Sequence, residues 1–177
     1  MVVKQESRKA GKGWLARRWR HQRQETIIII VLLAMIVNLA LSILIETQKQ
    51  AELHGQGASA ACFITGGANR ASCFDVTTSE YGWTLGISNS LIGIIAFCAM
   101  TLLMFGAAIP WLTDTHLRLL LKGVTVCLCL GSAWGLYLLG VQAFVLHEYC
   151  TFCVIVDSIT ILSTALLTFG LRVFSSD

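Results

Sequence analysis

The sequence is poor in charge and in proline. Only 13% of its 177 residues are charged and one is proline, whereas 55% are hydrophobic and the mean hydropathy is +0.71. A soluble domain normally carries about 25% charged residues. These shortages exclude an ordinary soluble domain, a disordered chain, a collagen-like chain and a nucleic-acid-binding domain, each of which needs charge, repeats or glycine and proline. The composition predicts a protein embedded in membrane lipid.

Four long apolar stretches are present. A transmembrane helix needs about 20 mostly apolar residues to cross the hydrocarbon core of a bilayer. The predicted spans cover about 27–46, 85–109, 118–146 and 150–172, after a basic tail over 1–25. The predicted fold is an all-α membrane protein, a four-transmembrane-helix bundle over 26–173 whose loop 47–84 carries a cysteine pair.

The lysines and arginines predict the orientation, because cytoplasmic segments retain them. Eleven of the thirteen precede the first span, flank the turn between spans two and three, or close span four. Only Lys49 and Arg70 fall on the other side, so both termini are predicted to be cytoplasmic. Trp14–Arg20 is compatible with a short helix on anionic headgroups, but a solvated basic tail is the favoured interpretation.

This topology divides the seven cysteines into two groups. Four lie on the non-cytoplasmic face, where disulfides persist: Cys62 and Cys73 in the loop, and Cys150 and Cys153 at the start of span four. The other three, Cys98, Cys127 and Cys129, lie within spans. A buried cysteine behaves as a small hydrophobic residue, so these three are assigned to packing.

The pair Cys150 and Cys153 has the CxxC spacing that suits redox chemistry. A helix start favours the thiolate, which is the attacking species in thiol–disulfide exchange. A zinc site would need Cys62, Cys73 and His147 as further ligands. We rank it lower, because the gap from Cys62 to Cys73 is not a metal-binding spacing, and we predict no metal.

Polar residues in the spans add to this picture. Asp157 follows Cys153 by four residues and thus lies on the same helical face, where an intramembrane carboxylate indicates a functional site. Proton exchange with a reducible ligand and a packing role are both open for Asp157. Asn89 is able to donate to a carbonyl oxygen or to another helix. Thr77 to Glu80 matches a capping box and predicts a helix leading into span two.

In this order, the motifs resemble the vitamin K epoxide reductase family. The segments that carry the resemblance are Cys73-Phe74-Asp75-Val76, Ser79-Glu80-Tyr81-Gly82, Ser88-Asn89-Ser90-Leu91-Ile92-Gly93 and Glu148-Tyr149-Cys150-Thr151-Phe152-Cys153. The resemblance implies a four-helix bundle around a pocket for a quinone of the menaquinone, ubiquinone or vitamin K type.

The resemblance also implies roles for individual residues. Cys62 corresponds to the shuttle cysteine that meets a thioredoxin-fold partner, and Cys73 to the one that forms a transient disulfide with Cys150. Cys153 corresponds to the cysteine at the quinone ring. Asn89 would hydrogen-bond the quinone, and Ser79, Tyr81 and Asp157 complete the expected binding residues.

The expected function is therefore a membrane thiol:quinone oxidoreductase that generates disulfides. Asp157 stands where the vertebrate enzymes carry a tyrosine, which favours a prokaryotic type in the cell (inner) membrane with a separate thioredoxin-fold partner. The alternatives are vitamin K epoxide reduction in the strict sense, a four-span scaffold with structural disulfides, and an inward thiol relay through Cys98, Cys127 and Cys129.

Overall fold

The computed structural model describes the backbone of residues 3–54, 75–107 and 114–174, and the side chains within 23–51, 53–54, 75–107 and 115–170. In this part of the chain, four helices are long and apolar enough to cross a membrane. They are α1 (Val3–Leu53), α2 (Asn89–Ala107), α3 (Asp114–Val141) and α4 (Thr151–Phe174). The predicted fold class, a four-helix membrane protein, is confirmed.

The four helices form a closed bundle. Both α1 and α3 pack against α2 and α4. Polar side chains also join the helices: Asn38 on α1 donates from Nδ2 to Oγ1 of Thr160 on α4 at 2.9 Å, and the hydroxyls of Ser132 on α3 and Thr164 on α4 lie 2.7 Å apart. Such bonds replace water contacts that the hydrocarbon core of a membrane does not supply.

The first helix is longer than expected. The basic segment before residue 26 was expected to be a tail with at most a short helix, but the backbone is helical from Val3 and runs without interruption into the apolar stretch Arg23–Ala51. The single proline of the chain is Pro110, so no proline interrupts this segment.

The chain enters α2 through a small β-hairpin, which the sequence did not predict. The strands β1 (Trp83–Thr84) and β2 (Ile87–Ser88) are antiparallel, with Trp83 opposite Ser88. Leu85 (φ 53°) and Gly86 (φ 80°) form the turn. A two-residue hairpin turn with positive φ at both positions matches the twist of its strands. The second helix therefore begins at Asn89, whereas the predicted span began at about residue 85.

The predicted capping box is wrong. A capping box would place Thr77 just before a helix, but residues 75–78 are already a helical turn. The next element, Glu80–Gly82, is a single 3₁₀ turn whose N-cap residue Ser79 makes no side-chain capping bond. The Ser79 hydroxyl donates instead to the carbonyl oxygen of Val76 at 2.8 Å. The hydroxyl is thus used to close the preceding turn, as serine side chains commonly do outside regular helices.

The hairpin is fastened to α1 by two charged residues. The Glu46 carboxylate accepts hydrogen bonds from the hydroxyls of Ser88 at 2.8 Å and Ser90 at 2.5 Å. One turn later, the Nζ of Lys49 lies 3.7 Å from the centroid of the Trp83 ring, and the lysine is 2% exposed. A desolvated cation over an indole ring is a favourable contact. We call Glu46, Lys49, Trp83, Ser88 and Ser90 the hairpin anchor.

Replacing Glu46 with leucine is expected to lower the free energy of unfolding by about 2–3 kcal/mol, because two hydroxyls lose a charged acceptor. Thermal unfolding in detergent measures the change. Glu46→Gln keeps an acceptor oxygen at the same place and serves as the matched variant, with a smaller expected loss. Equal melting temperatures for the leucine variant and the parent protein would remove Glu46 from the anchor.

The connection from α3 to α4 is short and irregular. After Val141 the helix widens into a π-helical turn, Gln142–Leu146, and His147 then takes a left-handed conformation with φ 53°. The chain turns there, and α4 begins four residues later at Thr151. A π-helical turn inside a helix frequently marks a functional site.

The buried apolar residues form two clusters. The larger one contains residues of all four helices, among them Met35, Met104, Val124 and Leu167. The smaller cluster lies at the end of the bundle that carries the hairpin and contains Ile45, Val76, Cys150 and Phe152. A cysteine of the CxxC pair is thus part of the core at this end.

Candidate functional site

A cavity of about 370 Å³ lies within the bundle and is lined by residues of all four helices and of the segment before the hairpin. This volume falls within the range of about 300–1,000 Å³ typical of small-molecule sites. The walls are mainly apolar, with contributions from Phe97, Met100, Leu128 and Trp134. The polar and sulfur-containing residues that also line the cavity are Ser42, Thr77, Tyr81, Asn89, Ser90, Cys127, Gln142, Cys153, Asp157 and Thr160.

The two CxxC cysteines occupy different places relative to this cavity. Cys153 lines the cavity, is partly buried and is a free thiol. Cys150 is 1% exposed and belongs to the smaller core cluster with Val76. The pair therefore connects two environments, since one sulfur is at the cavity and the other is packed beneath the segment that precedes the hairpin.

Cys150 is the residue before the first turn of α4, and its sulfur caps that helix. The backbone N–H of Cys153 donates to Sγ of Cys150 at 3.3 Å. Side chains at this position satisfy N–H groups that have no partner within the helix. An N–H directed at sulfur, together with the positive end of the helix dipole, favours negative charge there. The capping geometry is thus suited to a cysteine that leaves or attacks as a thiolate.

Gln142 holds Cys150 from the other side. Its Oε1 accepts the backbone N–H of Cys150 at 3.0 Å, and the glutamine is 3% exposed. The π-helical turn that begins at Gln142 brings this side chain to the start of α4. Gln142 also lines the cavity, so the same side chain reaches the redox pair and the space in front of it.

Asp157 faces α3 at a glycine. A Cβ atom at Gly135 would lie 2.6 Å from Oδ1 and 2.9 Å from Cγ of Asp157, so no larger residue fits there without displacing the carboxylate. Both residues line the cavity, and Asp157 is partly buried. No hydrogen bond or ion pair to the carboxylate is found within the described part of the chain. The acid is therefore accommodated beside the cavity by the missing side chain at Gly135.

Asn89 has two hydrogen-bonding partners in the loop before α2. Its Nδ2 donates to the carbonyl oxygen of Tyr81 at 2.7 Å, and its Oδ1 accepts from Thr84 Oγ1 at 2.5 Å. Tyr81 and Asn89 both line the cavity, whereas Ser79 does not. Asn89 thus holds the 3₁₀ turn against the hairpin, and one of its two amide N–H groups remains for a ligand.

The remaining cysteines divide into two groups. Cys98, Cys127 and Cys129 are free thiols on exposed faces of the helices, so the expectation that they pack as buried residues is wrong. Polarizable thiols are tolerated on a lipid-facing surface because they are only weakly polar. Cys127 additionally lines the cavity. Cys62 and Cys73 lie outside the described residues, which leaves their predicted pairing as a proposal.

The described residues contain no group of three or more His, Cys, Asp or Glu side chains that could hold a metal ion. The zinc alternative depended on Cys62 and Cys73, which are outside the described part. His147 is exposed at the left-handed turn before α4.

Comparison with protein families decides which family the chain belongs to. The sequence model of the vitamin K epoxide reductase family matches residues 27–168, which is most of the chain and overlaps all four membrane-crossing stretches. The chain belongs to the vitamin K epoxide reductase family. No curated protein matches the sequence. Membership makes the protein an integral membrane oxidoreductase of a family whose redox chemistry involves disulfides and quinones.

Three residues that shape the candidate site of this protein were not predicted from the sequence. Gln142, Gly135 and Glu46 each act through a partner on another element, and residue type alone did not mark any of them. A glutamine inside an apolar span is the one signal that was available, because a buried amide in a membrane helix requires partners. The two cavity residues Cys153 and Asp157 were found because their spacing places them on one face of one helix.

Proposed function

We propose that this protein oxidises the thiols of a thioredoxin-fold partner and transfers the electrons to a membrane quinone. The observation that carries the proposal is the division of the CxxC pair: Cys153 lines an apolar cavity of about 370 Å³, and Cys150 lies in the core beneath the segment following Cys73. Such a cavity, with few polar groups among apolar walls, suits a flat apolar ring with two carbonyl oxygens.

The electron path proposed is a series of thiol–disulfide exchanges. A dithiol of the partner reduces a Cys62–Cys73 disulfide and itself becomes a disulfide. The Cys73 thiolate then attacks Sγ of Cys150 in a Cys150–Cys153 disulfide and releases Cys153 as a thiolate. Cys62 attacks Cys73 next, which restores the first disulfide and releases Cys150.

The reduced pair Cys150 and Cys153 then delivers two electrons to the quinone as substrate and returns to a disulfide. Two protons accompany these electrons to the two quinone oxygens. Partner dithiol plus quinone thus gives partner disulfide plus quinol, and the balance needs no further oxidant.

Support for the Cys73 to Cys150 step comes from the packing of Val76. Val76 and Cys150 belong to the same buried cluster. Cys73 precedes Val76 by three residues, and three residues of extended chain span at most about 11 Å. An approach of Cys73 to Cys150 is therefore within the reach of the chain.

The proton side of the reaction is assigned to Asp157 and Asn89. Asp157 lies at the cavity one helical turn beyond Cys153, without a hydrogen-bond donor in the described residues. Its proposed role is to hand a proton to one ring oxygen. Asn89 donates its remaining N–H to the other oxygen, and Tyr81 forms part of the wall. Ser79, whose hydroxyl is bonded to Val76, is left out of the binding residues proposed.

The orientation proposed follows the distribution of basic residues. Eleven of the thirteen lysines and arginines favour cytoplasmic termini. The hairpin, the CxxC pair and the loop cysteines would then face the opposite side, where disulfides persist, in a prokaryotic inner membrane.

Reduction of an added quinone by the purified protein tests this function. The protein in lipid nanodiscs, supplied with dithiothreitol and a short-chain ubiquinone or menadione, is expected to form quinol faster than protein-free nanodiscs. Alkylation with a mass tag is expected to show a mixture of oxidised and reduced cysteines that shifts to the reduced side when quinone is withheld. Cysteines that stay fully oxidised, with no quinol formed, would instead assign the protein to the scaffold class.

A further inference from the structure

The side-chain amide of Gln142 has a hydrogen-bond partner at its oxygen and none at its nitrogen among the described residues. The backbone N–H of Cys150 can only be paired with an oxygen, so this 3.0 Å contact identifies the atom as Oε1 and leaves Nε2 on the opposite side of the planar group. Within the described part of the chain, Nε2 has no hydrogen-bond acceptor. Gln142 is 3% exposed, and it lines the cavity.

An amide N–H group that lines an apolar cavity and has no acceptor is unfavourable until an oxygen accepts its hydrogen bond. A ligand carbonyl oxygen in the cavity satisfies this group when it accepts the bond. Asn89 differs in this respect, because both its oxygen and its nitrogen already have partners in the loop. Gln142 is therefore the cavity side chain with a whole NH₂ group uncommitted.

We propose that Gln142 is a quinone-binding residue: Nε2 donates a hydrogen bond to one quinone carbonyl oxygen while Oε1 holds the backbone of Cys150. This inference rests on the proposed function and adds a residue to its substrate site. Gln142 would also link quinone binding to the redox pair. One rigid amide would fix the quinone oxygen relative to the start of α4, where Cys150 caps the helix and Cys153 lies in the first turn.

Two variants separate the donor role of Gln142 Nε2 from the acceptor role of Gln142 Oε1. Gln142→Met has a similar length and lacks both functions, whereas Gln142→Glu retains an acceptor oxygen for the Cys150 N–H and lacks the amide donor. Thr125→Val is the matched control, since Thr125 is a partly buried polar residue of α3 whose hydroxyl bonds to its own helix at Leu121 and which does not line the cavity.

Two readouts are needed, at pH 8 in nanodiscs. The first is the affinity for menadione, measured by quenching of tryptophan fluorescence, because Trp134 lines the cavity. The second is the rate at which dithiothreitol reduces the Cys150–Cys153 disulfide without quinone, followed by alkylation. Loss of one hydrogen bond is expected to weaken menadione binding about 5- to 10-fold in both Gln142 variants.

The disulfide reduction rate is expected to change in Gln142→Met and to stay near that of the parent in Gln142→Glu. Unchanged menadione affinity in Gln142→Met would overturn the inference. A Gln142→Glu protein with the menadione affinity and the disulfide reduction rate of the parent would overturn it too, since the amide donor would then be unnecessary. A parent protein that neither binds nor reduces quinone contradicts the proposed function itself, so the two failures are distinguishable.

Discussion

Replacing Cys153 with alanine is expected to abolish quinone reduction and to leave a disulfide between Cys73 and Cys150. Cys153 is the cavity-lining free thiol of the CxxC pair, so its removal deprives the quinone of the electron donor proposed here. Quinol formation should fall by more than about a thousandfold, as is usual when the attacking group of an enzyme is removed. In this variant the Cys150 thiolate attacks Sγ of Cys73 in a Cys62–Cys73 disulfide and releases Cys62 as a thiolate. Because Cys153 is absent, the Cys73–Cys150 disulfide cannot be resolved from the side of the CxxC pair.

Peptide mapping under non-reducing conditions, after rapid alkylation, measures the accumulated disulfide. Cys129→Ala is the matched control, since Cys129 is an exposed thiol outside the cavity, and its turnover should equal that of the parent protein. A Cys153→Ala protein in which Cys150 is found only as an alkylated thiol would exclude the order of exchanges proposed here. Loss of turnover in Cys129→Ala would support the inward thiol relay instead.

The sequence was sufficient to predict the four helices and the shared face of Cys153 and Asp157, because each depends on residues close together in the chain. The four apolar stretches follow from local hydropathy. The shared face of Cys153 and Asp157 follows from the period of one helix. Helix ends were less predictable: the hairpin at Trp83–Ser88 required positive φ at Leu85, a residue type that gives no signal for it.

The contacts that build the site are between elements, and the sequence does not specify them locally. Gln142 reaches Cys150 because a π-helical turn and a left-handed residue bring the end of α3 to the start of α4. Gly135 faces Asp157 only in one relative register of α3 and α4. Glu46 ends the predicted first span, and its partners Ser88 and Ser90 are 42 and 44 residues away along the chain, so no local pattern links them.

Asn89 illustrates how structure alters an interpretation without removing it. From the sequence it was expected to bind a quinone oxygen, and it does line the cavity. The structure adds that Thr84 and Tyr81 fix its amide, so its first effect is to hold the loop in place. Orienting a binding group through such supporting hydrogen bonds is common in functional sites.

Asp157→Asn is expected to slow quinone reduction about a hundredfold, the lower end of the effect of a positioned proton donor. The amide has nearly the shape of the carboxyl group but cannot supply a proton. The exchange of thiols between dithiothreitol and the cysteines should stay near that of the parent, because Cys150 is held by Gln142 and by the start of α4 rather than by Asp157. Glu80→Gln, an exposed acid outside the cavity, is the matched control.

Three further measurements distinguish a proton donor from a packing residue at position 157. Gly135→Ala places a methyl group where the Asp157 carboxylate lies, so it should also slow quinone reduction. In an Asp157→Ala background, where this space is empty, Gly135→Ala should lower the rate of quinone reduction little further. Added formate or acetate should restore part of the activity of Asp157→Ala, because a small carboxylic acid then replaces the missing one. A packing role predicts no such rescue, and Asp157→Asn turnover equal to that of the parent would assign the carboxylate to helix packing.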